Sequence, residues 1–92
     1  MTEQCQVHCI VRGRVQGVGF RSFVRRNAVS LGITGWVKNI FDGSVEFVAE
    51  ADRARLKRFL EVIEHGNHFS HVTGMDQEWG DAAGFPGFEI EF

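Results

Sequence analysis

The apolar residues of this chain change their spacing across one nine-residue segment. Val7, Cys9 and Val11 recur at every second position in "CQVHCIVR", which predicts a strand over residues 5–12 with one face buried. Further on, Phe20, Val24, Ala28 and Leu31 form a helical stripe through "RSFVRRNAVSLG", a helix starting near Arg21, with Gly32 as its C-terminal stop. Between the two periods lies "GRVQGVGFR", residues 13–21, with three glycines and no acidic residue. Any fold for this chain must therefore carry a strand into a helix through a flexible, positive turn.

The remaining segments repeat the alternation. "ITGWVKN" and "GSVEFVAE" read as two strands, and the Asp-Gly pair in "NIFDG" makes them a hairpin. "DRARLKRFLEVIEHG" places Leu56, Phe59, Leu60 and Ile63 on one helical face, with Asp52 as N-cap and Gly66 as stop. "HVTGMDQEW" and "GFEIEF" read as final strands, with Phe88, Ile90 and Phe92 on one face of the second. "GDAAGFPG", which holds the only proline, Pro86, is the loop between them. The order βαββαβ plus a short C-terminal strand predicts an α+β fold. It is the ferredoxin-like split β-α-β sandwich, an antiparallel sheet with two helices on one face.

With 92 residues the expectation is one domain, residues 1–92, around one modest core. The N-terminus "MTEQCQVHCIV" has neither a basic n-region nor an apolar h-region, and no run is long enough to span a bilayer. A cytoplasmic protein with no membrane partner is expected. Cys5 and Cys9 share a strand face roughly 13 Å apart, too far for a disulfide between them, so two reduced thiols are expected.

The net charge of −2 hides an asymmetry. Residues 4–41 carry Arg12, Arg14, Arg21, Arg25, Arg26 and Lys38 and no Asp or Glu. That segment contains the glycine-rich turn, so an anionic ligand is expected. The acidity of the remainder argues against a large polyanion, and no nucleic-acid partner is expected.

A strand, a glycine-rich loop and a helix form a phosphate-binding layout. Glycines let consecutive N–H groups converge on one point, and the helix N-terminus adds unpaired N–H groups and the positive end of its dipole. Arg21, in the first helical turn, can grip two phosphate oxygens at once. No Gly-Lys-Ser/Thr follows, so this is not a Walker A loop, and the spacing Gly13, Gly17, Gly19 is not the dinucleotide fingerprint. On these residues alone, a tight turn that needs glycine for backbone reasons, with Arg21 merely on the surface, stays open.

"GRVQGVGFR", followed by "GITGWVKN" and "DGSVE", closely resembles the acylphosphatases in all three segments and in their spacing. The resemblance spans most of the chain and is strongest from Gly13 to Ala49. It implies hydrolysis of acyl phosphates to a carboxylate and inorganic phosphate. It implies that Arg21 binds the phosphate, that Asn39 orients the attacking water, and that the amides of Gln16, Gly17, Val18, Gly19 and Phe20 complete the cradle. The implied partner is a small acyl phosphate, with inorganic phosphate or sulfate as competing anions, and the implied enzyme is a free-standing monomer. The alternative, of another class, is a regulatory module that binds phosphate or an acyl phosphate without turnover.

The chemistry stands without a metal or cofactor, and none is expected. The leaving group is a carboxylate whose conjugate acid has a pKa of roughly 4. It departs unprotonated, so no general acid is needed. Phosphoryl transfer passes through a loose transition state with charge on the equatorial oxygens. Holding those oxygens and aiming a water are tasks for an arginine, amides and an asparagine. An alkyl phosphate wants a proton on its leaving group, and no donor is placed for it.

Other signals carry less. His65, His68 and His71 are evenly spaced, but Gly66 and Asn67 break the helix that would align them on a metal. His8 points away from Cys5 and Cys9 on a strand. "GSVEFVAE" carries two glutamates where an RNA-recognition sheet would show aromatics in a basic setting. Two segments depart from the family pattern. "GNHFSHV" stands where the family tends to show Gly-Pro, a small residue, Arg and Val, and "FEIEF" has Glu91 where a basic residue is common. The family's final strand tends to end near the phosphate site, so a pairing of the Phe92 carboxylate with Arg21 is also expected.

Overall fold

The computed structural model describes residues 3–92. Its elements are β1 (Gln4–Arg14), α1 (Phe20–Ser30), β2 (Thr34–Asn39), β3 (Val45–Asp52), α2 (Arg53–His65), β4 (His71–Asp81) and β5 (Phe88–Glu91). The five strands form one sheet in the order β4-β1-β3-β2-β5. β1 pairs antiparallel with β3 and β4, and β2 pairs antiparallel with β3. These elements reproduce the expected ferredoxin-like arrangement.

β5 is the one departure from an antiparallel sheet, since it runs parallel to β2, Gly35 opposite Phe88 and Lys38 opposite Glu91. The connectivity dictates this. β4 and β5 occupy opposite edges, and the segment between them crosses at the end of the sheet where β4 finishes. A strand that returns from that end must run antiparallel to β4, which is the direction of β2.

The periods of the sequence are the faces of the fold. Val7, Cys9 and Val11 of β1 and Val45, Phe47, Ala49 and Ala51 of β3 are buried on one side of the sheet. Both helices cover that side, with Phe20, Val24 and Ala28 from α1 and Leu56, Phe59, Leu60 and Ile63 from α2. Phe59 meets Phe47 nearly edge-on, centroids 5.5 Å apart at 79°, so Phe59→Ala would cost about 3–5 kcal/mol. Asp52 caps α2 by accepting from the Arg55 N–H at 3.1 Å. Gly32, at φ +69°, ends α1 where Leu31 is only half-buried.

Both cysteines are free, Cys5 half-buried and Cys9 buried, and burial pushes the Cys9 thiol up to about 12. Among the described residues no helix is long and apolar enough to cross a membrane.

Candidate functional site

β1 and β2 both end on the same side of the sheet, and the turn from β1 into α1 lies there. Gly13 belongs to the strand rather than to the turn. A register shift falls between Arg12 and Gly13, and a Cβ at Gly13 would sit 2.1 Å from the His71 carbonyl oxygen of β4. The turn itself uses the other two glycines. Gly17 and Gly19 have φ of +72° and +73°, and among the described residues no non-glycine residue has positive φ. Left-handed residues alternating with residues of negative φ make a concave run of amides that suits an anion.

Gly19 is the N-cap of α1 and offers no side-chain acceptor to the first turn. The first amide of the helix taken by a backbone carbonyl is that of Phe23, which donates to Gly19 O at 3.1 Å. The N–H groups of Phe20, Arg21 and Ser22 are left for solvent or a ligand.

A small pocket of about 120 Å³ opens here, lined by Val15, Gly17, Gly19, Phe20, Arg21, Ser22 and Asn39. Arg21 and Asn39, far apart in sequence, therefore face one cavity. Of the residues expected in the cradle, Gly17, Gly19, Phe20 and Arg21 line it. Gln16 and Val18 are not among the lining residues. The Gln16 side-chain amide donates to the carbonyls of Ile40 (2.7 Å) and Ser44 (2.8 Å), which ties the turn to the β2–β3 connection that follows Asn39. The Val18 carbonyl accepts from Asn67 at 2.9 Å. Val15 and Ser22 line the pocket without having been singled out. Ser22 follows Arg21 on the first helical turn, and helical geometry alone was signal enough to include it.

Arg21 is held from β5. Its Nη1 donates to the Glu91 carbonyl at 3.3 Å, and its guanidinium lies 4.9 Å from the centroid of the Phe92 ring. The expected pairing with the Phe92 carboxylate is replaced by these two contacts, and no ion pair to Arg21 occurs among the described residues. The other cations of residues 4–41 are largely spent on the scaffold. Arg12 pairs with Asp76, Lys38 lies 3.8 Å from Glu46, and Arg25 donates to the Phe88 carbonyl at 3.0 Å. Arg21 is the one cation among the residues lining the pocket. His65 ends α2, His68 packs edge-on against Phe69, and His71 opens β4.

Three comparisons bear on this site. The family model described as Acylphosphatase matches residues 7–90. An acylphosphatase of Bacillus velezensis is 46% identical over 88 residues, 95% of this chain and 98% of that protein. One of Thermus thermophilus is 41% identical over 81 residues, 88% of this chain and 92% of that protein. The crystal structure of acylphosphatase from Bacillus subtilis superposes with a TM-score of 0.93 at 42% identity, covering 96% of this chain and 99% of that one.

Proposed function

The chain belongs to the acylphosphatase family, and we propose that residues 1–92 form one domain that hydrolyses acyl phosphates through Arg21, the turn amides and Asn39. The observation that carries this is the make-up of the pocket lining. It combines a guanidinium, two left-handed glycines, the open amides of a helix start and one asparagine, with no histidine or carboxylate among the lining residues.

That set suits one bond in particular. A water oxygen attacks phosphorus, a new O–P bond forms, and the bond from phosphorus to the acyl oxygen breaks. The electron pair of the broken bond stays on the carboxylate, and the water's proton passes to a phosphate oxygen or to solvent. The departing carboxylate needs no acid. Charge that builds on the equatorial oxygens is met by Arg21 and the amides. The Asn39 side chain, at the end of β2, accepts from or donates to the water and holds it in line. Ser22 has no lining histidine or carboxylate to activate its hydroxyl, so it is not a nucleophile here. The substrate is a small acyl phosphate, inorganic phosphate and sulfate compete for the same cradle, and the monomer acts without metal.

Phosphate release from benzoyl phosphate in the presence of a chelator tests this. Turnover should fall about a thousandfold in Arg21→Ala and about a hundred- to thousandfold in Asn39→Ala. Phosphate-competitive binding without turnover would favour the regulatory-module reading, and activity that survives Arg21→Ala would place the site elsewhere.

A further inference from the structure

The connection from α2 to β4 folds back on itself around Asn67. The Asn67 N–H donates to Ser70 Oγ at 2.8 Å, the Ser70 hydroxyl donates to the Asn67 carbonyl at 3.2 Å, and the Ser70 N–H donates to the same carbonyl at 3.3 Å. The Phe69 N–H donates to Asn67 Oδ1 at 3.3 Å. This last contact decides which end of the side-chain amide faces the turn. The other end, Nδ2, donates to the Val18 carbonyl at 2.9 Å, a contact between residues 49 positions apart.

Val18 O and the Gly19 N–H belong to one trans peptide and point in opposite directions. Gly19 lines the pocket. Among the described residues, and apart from its own chain neighbours and helix backbone, the atom that a Cβ on Gly19 would meet within 4 Å is Asn67 Nδ2, at 4.0 Å. Glycine also accepts either sign of φ at small cost. Without a brace this peptide can turn over and present its carbonyl oxygen to an anion that needs an N–H.

We propose that Asn67 is a positioning residue for the phosphate cradle: its side-chain amide holds the Val18 carbonyl outward so that the Gly19 N–H faces the bound phosphate. This role rests on the function proposed above.

Two variants separate the donor from the turn. Asn67→Ala removes both side-chain contacts, to Val18 and to Phe69, and keeps the three main-chain bonds to Ser70. Asn67→Asp keeps an acceptor for the Phe69 N–H but loses the donor to Val18, and high salt screens its added charge. Both should bind inorganic phosphate about three- to tenfold more weakly and raise KM for benzoyl phosphate by a similar factor, the worth of one hydrogen bond. In the ligand-free protein the Gly19 amide should exchange its hydrogen faster in both. Wild-type phosphate affinity in Asn67→Ala, or full recovery in Asn67→Asp, would overturn the role. Absence of phosphate binding and turnover in the wild type would instead overturn the proposed function, while the ligand-free exchange rates would still decide whether Asn67 holds the peptide.

Discussion

At the scale of single residues, the proposed role asks two things of Arg21 at once. One Nη is already directed at the Glu91 carbonyl, and the guanidinium carbon lies over the Phe92 ring, 4.9 Å from its centroid. A guanidinium has five N–H donors in a fixed plane, so donors remain for two phosphate oxygens. An ammonium is a point charge on a flexible stem and cannot serve both sides in one geometry. Arg21→Lys should therefore keep the charge and still lose about a hundredfold or more in kcat/KM for benzoyl phosphate. A lysine variant within a fewfold of wild type would mean that charge alone suffices. Arg21 was legible in the sequence because the strand, the glycines and the helix start are contiguous there. That the end of the final strand meets Arg21 was expected from the resemblance, but the contacting atom was not: it is the Glu91 carbonyl rather than the Phe92 carboxylate. The six basic residues of residues 4–41 pointed to an anionic ligand, and of them Arg21 alone lines the pocket.

At the scale of elements, the geometry of the proposed site depends on how the β1–α1 turn sits against the β2–β3 connection. Gln16 makes that joint with one side-chain amide and two carbonyls, those of Ile40 and Ser44. The connection is itself ordered by Asp42, whose carboxylate accepts from both the N–H and the hydroxyl of Ser44. Those two bonds hold the Asp42 carboxyl below its ordinary range. Gln16→Ala removes two hydrogen bonds, although each carbonyl keeps a backbone donor, Gly43 N–H on Ile40 O and Ile40 N–H on Ser44 O, and it lets the turn drift relative to Asn39. We expect about tenfold lower kcat, a loss of about 1–2 kcal/mol in stability, and little change in phosphate affinity, because the cradle amides stay on the turn. Urea unfolding together with phosphate inhibition would check this, and a large loss of phosphate affinity with unchanged kcat would contradict it. From the sequence, Gln16 counted only as one more amide of the loop. Its side chain gained a meaning when the fold brought a hairpin turn beside it. Asn67 is a similar case: "GNHFSHV" stood out as an unusual segment, yet nothing local pointed from it to Val18. The elements themselves were legible because each period is carried by several residues, and the direction of β5 was not, because pairing partners are set by the path of the whole chain.

At the scale of the whole molecule, that path is fastened on the central strand as well as just before β5, where the Gly87 carbonyl accepts from the Gly35 N–H at 2.9 Å. Between β4 at one edge and β5 at the other, the chain passes Glu50 of the central strand β3. Glu50 is only 3% exposed, and its carboxylate accepts from the N–H of Ala83 (2.7 Å), the N–H of Gly84 (2.9 Å) and the side-chain amide of Gln6 (2.6 Å). Burial would raise this carboxyl, but the three donors outweigh it and hold it below its ordinary value of 4.5. The latch matters beyond stability, since the crossover delivers β5, and β5 supplies the carbonyl that holds Arg21. A depressed folded pKa means that the unfolded chain takes up a proton first as pH falls. The stabilisation is thus complete at neutral pH and is lost as pH drops from about 4.5 through the lower folded value. Glu50→Gln keeps the shape but turns one acceptor into a donor facing a donor. It should cost about 1–3 kcal/mol at neutral pH, and that difference should shrink as the wild-type carboxylate becomes protonated. Unfolding free energies of both proteins across the acid range would measure it. A difference that stays constant with pH would mean that packing of the 82–87 segment, rather than the charge on Glu50, fastens the crossover.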